Sequence, residues 1–88
     1  MSWTHDQVVA EVRDIILDHV ETSAPITEQT ELVADLGIDS LGVMEVVADI
    51  EDKFEMTIAD KELREVTTLG DVVKAIEVRL QQTGRLAE

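Results

Sequence analysis

The sequence predicts an all-α fold: a small bundle of three main helices and one short helix, with a long loop between the first two. Three observations lead there. Three segments repeat apolar residues at the helical period, and no stretch alternates apolar and polar as a half-buried strand would. The chain has 88 residues, enough for one domain that buries roughly 60% or slightly more of its unfolded surface. Aromatic residues are limited to Trp3 and Phe54, so Val, Leu and Ile must build the core. A single domain is expected over 1–88, with its core over about 4–82 and a frayed tail at 85–88.

The first helix is expected from about Thr4 to Val20. Thr4 and Gln7 have capping-box spacing. Val8, Val9, Val12, Ile15, Ile16 and Val20 form an apolar stripe, and Trp3 is expected to cover the start of this helix. The connection that follows holds Pro25 and several polar residues. Ile26, Leu32, Leu36 and Ile38 punctuate it as anchors onto the core, since a loop this long in a compact domain must be functional or pinned. The second helix begins at Asp39 or Ser40 and runs to about Phe54. A short helical turn is expected from Asp60 to Glu65 with Asp60 as N-cap. The last helix begins near Thr68, with Asp71 completing an imperfect capping box. Its stripe is Leu69, Val72, Val73, Ile76 and Leu80, and Gly84 marks its end. Stripes of this kind must pack against one another.

Composition narrows the function. With no cysteine, disulfides, thiolate metal sites and a cysteine nucleophile are excluded. Twenty acids against seven bases give a net charge of −13. Such a surface repels nucleic acid and anionic membranes and is steered toward basic patches on partners. No apolar run approaches the ~20 residues that span a bilayer, and no basic-then-apolar leader is visible, so no membrane insertion and a cytoplasmic setting are expected. His5 and His19 read as surface histidines. The acid pairs at Glu51-Asp52 and Glu62-Glu65 lack calcium-loop spacing, so no metal site is expected.

The segment Asp35-Leu36-Gly37-Ile38-Asp39-Ser40-Leu41 is the most informative part of the chain. Asp39 is placed to cap the second helix by accepting from the N–H of Leu41 or Gly42. Ser40 is then the first helical residue, at the positive end of the helix dipole, where a phosphate ester would be favoured. Gly37 permits a sharp turn before it. Taken alone, Asp-Ser before an apolar run is too short a signal and reads as a plain helix cap.

The wider context resembles the acyl carrier proteins, of the discrete, type II kind. The stretch Asp35 to Ile58 follows that family's pattern without a gap: Asp-Leu-Gly-x-Asp-Ser-Leu, an acidic amphipathic helix, Glu-Asp-Lys-Phe near its end, then Ile58. It continues through Asp60 and the Thr67-Thr68 pair. The resemblance implies that Ser40, flanked by Asp39 and Leu41, receives 4′-phosphopantetheine from coenzyme A by the action of a magnesium-dependent phosphopantetheinyl transferase, the holo-carrier synthase. The terminal thiol would then hold acyl groups as thioesters for fatty-acid, lipid or polyketide enzymes, in a monomer that is a carrier and not an enzyme. It also implies an acyl pocket, for which Val43, Val47, Ile58, Leu63 and Val66 are the candidates; the same residues read equally as core. Peptidyl or aminoacyl carriers usually have Gly-Gly-x-Ser at this point, which the Ile-Asp-Ser-Leu here does not match. An acidic helical adaptor without a prosthetic group is the alternative from another class.

The second helix also carries a candidate partner face. At ~100° per residue, Val43, Val46, Val47, Ile50 and Phe54 fall on one side. The other side holds Leu41, Glu45, Ala48, Asp49 and Asp52, with Met44 and Glu51 at its flank. Apolar groups ringed by acids suit a transient interface with the basic docking patches of acyl-processing enzymes. Glu45 is the acid most expected to meet a partner's Arg or Lys. Gly42 and Lys53 stand where fatty-acid carriers commonly place acids, which points to a dedicated pathway.

Overall fold

The computed structural model describes residues 2–22 and 25–87. Four helices occur in chain order: α1 His5–Leu17, α2 Ser40–Phe54, α3 Asp60–Arg64 and α4 Leu69–Gln82. No β-strand forms among the described residues, only isolated bridges joining Trp3 to Leu86 and Glu31 to Thr68. Helix α1 packs against α4 and α2. Between them lies an aliphatic core in which Val8, Val12, Ile16, Ile50, Ile76 and Leu80 are fully or almost fully buried. None of these helices is long and apolar enough to cross a membrane.

The caps explain most helix starts. Thr4 and Gln7 form the anticipated capping box on α1. Thr68 and Asp71 form a complete one on α4. There the Asp71 carboxylate accepts from the N–H groups of Thr68 and Thr67, which holds its pKa below the ordinary carboxylate value. Helix α3 differs from expectation: Ala59 is its N-cap, without a side-chain cap bond, and Asp60 is already the first helical residue. Helix α1 stops at Leu17 rather than Val20. The amides of Asp18, His19 and Val20 still reach back to the last turn, so the chain leaves by a tightened end.

The long loop after α1 is stitched to the chain that enters α4. Leu32 N–H donates to the Thr67 carbonyl, Leu69 N–H to that of Thr30, and Gly70 N–H to that of Glu28. The Thr30 hydroxyl is buried and accepts from Thr27 N–H. Leu32 and Ile38 are buried, and Ile26 and Leu36 pack partly against the core, as the anchor reading requires. Ser23 and Ala24 of this loop lie outside the described residues.

The two ends of the chain hold contacts that the sequence did not indicate. Residues 85–87 are not frayed. Arg85 donates to the Phe54 and Glu55 carbonyls, Ala87 N–H donates to the Trp3 carbonyl, and Leu86 packs on the core. Glu88 lies outside the described residues. Trp3 borders the start of α1, beside Gln7, Ala10 and Glu11, and reaches further. Its ring sits 4.6 Å from that of Phe54, at the far end of α2. The sequence hides both contacts because they join residues dozens of positions apart.

Candidate functional site

The N-terminus of α2 is built by its own loop. Asp35 N–H donates to the Glu31 carbonyl, and the Asp35 carboxylate accepts from Glu31 N–H, closing a turn. Gly37 follows at φ +70°, a left-handed conformation that favours glycine. Ile38 N–H then returns to the Leu32 carbonyl, and its side chain is buried. The next residue, Asp39, accepts from Gly42 N–H at 2.8 Å and caps the helix. Of the two amides named as cap donors from the sequence, the structure uses that of Gly42.

Ser40 is the first residue of α2 and is exposed. Gly42 N–H is taken by the Asp39 carboxylate and Val43 N–H by the Asp39 carbonyl. The amides of Ser40 and Leu41 have no internal partner among the described residues. A hydroxyl in open solvent, beside free first-turn N–H groups at the positive end of a helix, fits a phosphodiester. Nothing in the fold covers it, so an approaching enzyme has access.

The candidate partner face also has the predicted layout. Val46, Val47, Ile50 and Phe54 are buried and Val43 is half-buried. On the other side Leu41 is 65% and Met44 64% exposed, among the exposed Ala48, Glu45, Asp49 and Asp52. Glu51 is different: its carboxylate accepts from Ile58 N–H at 2.8 Å and braces the loop into α3, so it is partly turned from this face.

Gly42 and Lys53 have local causes. A Cβ at position 42 would lie 2.7 Å from the buried Ile38 methyl Cγ2 and 3.2 Å from the capping oxygen of Asp39. Glycine there lets Ile38 seat under the helix start. Lys53 pairs with Glu11 of α1 across 3.5 Å, along the seam between the two helices.

The five pocket candidates are core in this state. Val47 and Ile58 are buried, and Val43, Leu63 and Val66 pack partly against the same cluster. Among the described residues they belong to, or pack on, one core cluster. A shallow cleft of about 350 Å³ runs instead between α3 and α4, lined by Glu62, Glu65, Val66, Asp71, Lys74, Ala75 and Val78. Of the five, only Val66 reaches it. Helix α3 is the least anchored element: none of its residues is fully buried. Arg79 of α4 ties it down, donating to the Thr57 carbonyl and pairing with Glu62.

His19 is partly packed, as the sequence suggests, but its contacts were not legible there. Its ring bridges toward two acids of the α2 face, Asp49 at 2.6 Å and Glu45 at 3.8 Å. The signal available was weak: a single histidine bordering the first helix's stripe.

Comparison with known proteins agrees with this geometry. Residues 9–76 match the family model described as a phosphopantetheine attachment site. An acyl carrier protein of Exiguobacterium sp. AT1b is 40% identical over 78 residues, covering 88% of this chain and 99% of that one. The acyl carrier protein of Thermotoga maritima is 32% identical over the same share of this chain and 96% of its own. A solved structure from Mycobacterium tuberculosis, titled a putative acyl carrier protein, superposes with a TM-score of 0.77 at 29% identity, covering 82% of this chain and 97% of the other. A family model matched over most of the chain, and relatives aligned almost end to end, place this protein in the acyl carrier protein family.

Proposed function

We propose that Ser40 is the residue that carries the prosthetic group, and that the outward face of α2 is where partner enzymes dock. As a member of its family the chain carries covalent 4′-phosphopantetheine, serves a phosphopantetheinyl transferase and acyl-processing enzymes, and is not itself an enzyme. That group supplies a thiol on a flexible arm, which a protein without cysteine otherwise lacks. Asp39 holds the first turn of α2, Ser40 offers its hydroxyl to the transferase, and Leu41 and Met44 give the apolar part of the docking surface. Glu45, Asp49 and Asp52 supply charge that attracts a basic patch and favours fast, weak binding.

The observation that carries this reading is the exposed Ser40 at the start of α2, immediately after its capping aspartate. We further propose that acyl chains lodge among Val43, Val47, Ile58, Leu63 and Val66 when α3 shifts, and that the monomer works in the cytoplasm for fatty-acid, lipid or polyketide enzymes. The loose anchoring of α3 supports the first of these.

The test is an intact mass before and after incubation with coenzyme A, Mg²⁺ and a broad-specificity transferase, with Ser40→Ala in parallel. The expected result is a gain of one phosphopantetheinyl group in the parent chain and none in the variant. Gain in both would move the attachment to another serine or threonine. No gain in folded parent chain would leave Ser40 as a cap residue and favour an adaptor.

A further inference from the structure

We propose that His19 is a built-in competitor for the carboxylates of the α2 face, and thereby sets how strongly a basic partner binds there. The inference rests on the α2 docking face proposed above. His19 lies just beyond the end of α1, with its side chain 21% exposed. Its Nε2 is 2.6 Å from Asp49 Oδ2 and its Nδ1 is 3.8 Å from Glu45 Oε2. An ionised carboxylate only accepts hydrogen bonds, so Nε2 carries the proton in the contact with Asp49.

Glu45 and Asp49 are one helical turn apart, where like charges repel. Both remain about half exposed, at 56% and 52%. A single imidazole thus stands beside two acids that also face solvent, and a partner's Arg or Lys must share them with it. The rest of the acidic stripe is arranged differently. Glu51 is committed to Ile58 N–H, and Lys53 is held by Glu11 further along the same seam. Asp52 is exposed and has no ion-pair partner among the described residues. Acids on one face therefore differ in availability: Asp52 is open, Glu45 is partly engaged and Asp49 is engaged directly. A partner that relies on Asp49 feels His19 most.

The experiment measures KM and kcat for transferase modification of Ser40 at low ionic strength in the parent chain and in His19→Ala, His19→Gln and His19→Arg. Circular dichroism checks the fold of each. Partly exposed polar contacts of this kind correspond to changes of about twofold to fivefold in affinity. His19→Ala is expected to lower KM by about that factor with kcat unchanged, and His19→Arg, a permanent cation, to raise it. His19→Gln keeps a neutral donor and should fall between the parent and His19→Ala. The differences should shrink at high salt.

Glu45→Lys serves as the separate check on the docking face. If it leaves KM unchanged, the face reading itself falls. If it raises KM while the His19 series is flat, or while His19→Ala raises KM, the competitor proposal alone is overturned. Should His19→Ala fail to fold, the order of His19→Gln and His19→Arg around the parent decides the matter.

Discussion

The guanidinium of Arg85 donates to the backbone carbonyl of Phe54, the last residue of the helix that begins at Ser40. It also reaches the carbonyl of Glu55, which ends that helix in the left-handed conformation at φ 52°. Trp3 N–H donates in turn to the Arg85 carbonyl at 2.7 Å, and the Trp3 ring lies on Phe54. The two ends of the described chain thus close over the C-terminal end of α2, one helix length from the serine at its start. Orphan carbonyls at a helix end need partners, and a cation is the favoured one.

Arg85→Ala should therefore destabilise the fold. Hydrogen bonds from a charged donor contribute about 1.5–3 kcal/mol each, and the partly exposed setting puts the expected loss near the lower bound. The measurement is urea unfolding followed by the fluorescence of Trp3, the single tryptophan, which reports directly on this contact. An unchanged midpoint would show that the tail closes over α2 without stabilising it.

Gly70→Ala makes a sharper test of how the loop meets α4. By helix propensity alone, alanine in place of glycine gains about 1 kcal/mol. Here a Cβ would lie 2.9 Å from the backbone oxygen of Glu28, which accepts the Gly70 N–H at 2.8 Å. Backbone cannot rotate away as a side chain does. Overpacking typically costs about 1–3 kcal/mol, so the clash should outweigh the propensity gain. A net loss of stability in thermal or urea unfolding is expected, and a stabilised variant would refute the close approach.

Much of this architecture was legible because it is local. Ser40 follows a capping Asp39, and both capping boxes show as three-residue spacings. The buried stripe of α2 follows directly from the helical period. Contacts between residues distant in sequence left no such trace. The Arg85–Phe54, Trp3–Phe54 and His19–Asp49 pairs are 31, 51 and 30 positions apart, and no periodicity encodes them. Asp60 misled because an acid suits both an N-cap and a first turn; here it takes the first turn. The apolar pocket candidates could not be separated from core by sequence, since both uses call for the same aliphatic residues.

Asp39→Ala should affect stability and modification together. The cap bond to Gly42 N–H is lost, which costs about 0.5–2 kcal/mol for caps of this kind. The first turn of α2 holds Ser40, so fraying there should slow its modification by the transferase. Asp39→Ser or Asp39→Asn restores a capping side chain and should recover most of the stability. Comparing unfolding midpoints with modification rates across the three variants separates cap from charge. Full recovery of stability without recovery of rate would show that a partner reads the Asp39 charge itself.

The pH dependence of stability near neutrality should run through His5. Its ring lies between two acids from different elements, Glu77 of α4 at 2.9 Å and Glu28 of the long loop at 3.3 Å, with Asp6 beside it on α1. The hydrogen bonds to Glu77 and then Glu28 raise its pKa above the ordinary 6.5. A histidine raised on folding stabilises the native state fully below its unfolded pKa, and that contribution is lost as pH climbs through the folded value. Stability relative to His5→Gln should therefore be highest near pH 6 and the gap should narrow as pH rises above 6.5. Asp71 does not confuse this window, because its lowered pKa acts with the opposite sign and only in acid, below the ordinary 3.8. Urea midpoints for both chains across neutral pH make the measurement. A gap constant with pH would mean that His5 holds its two acids by neutral hydrogen bonding alone.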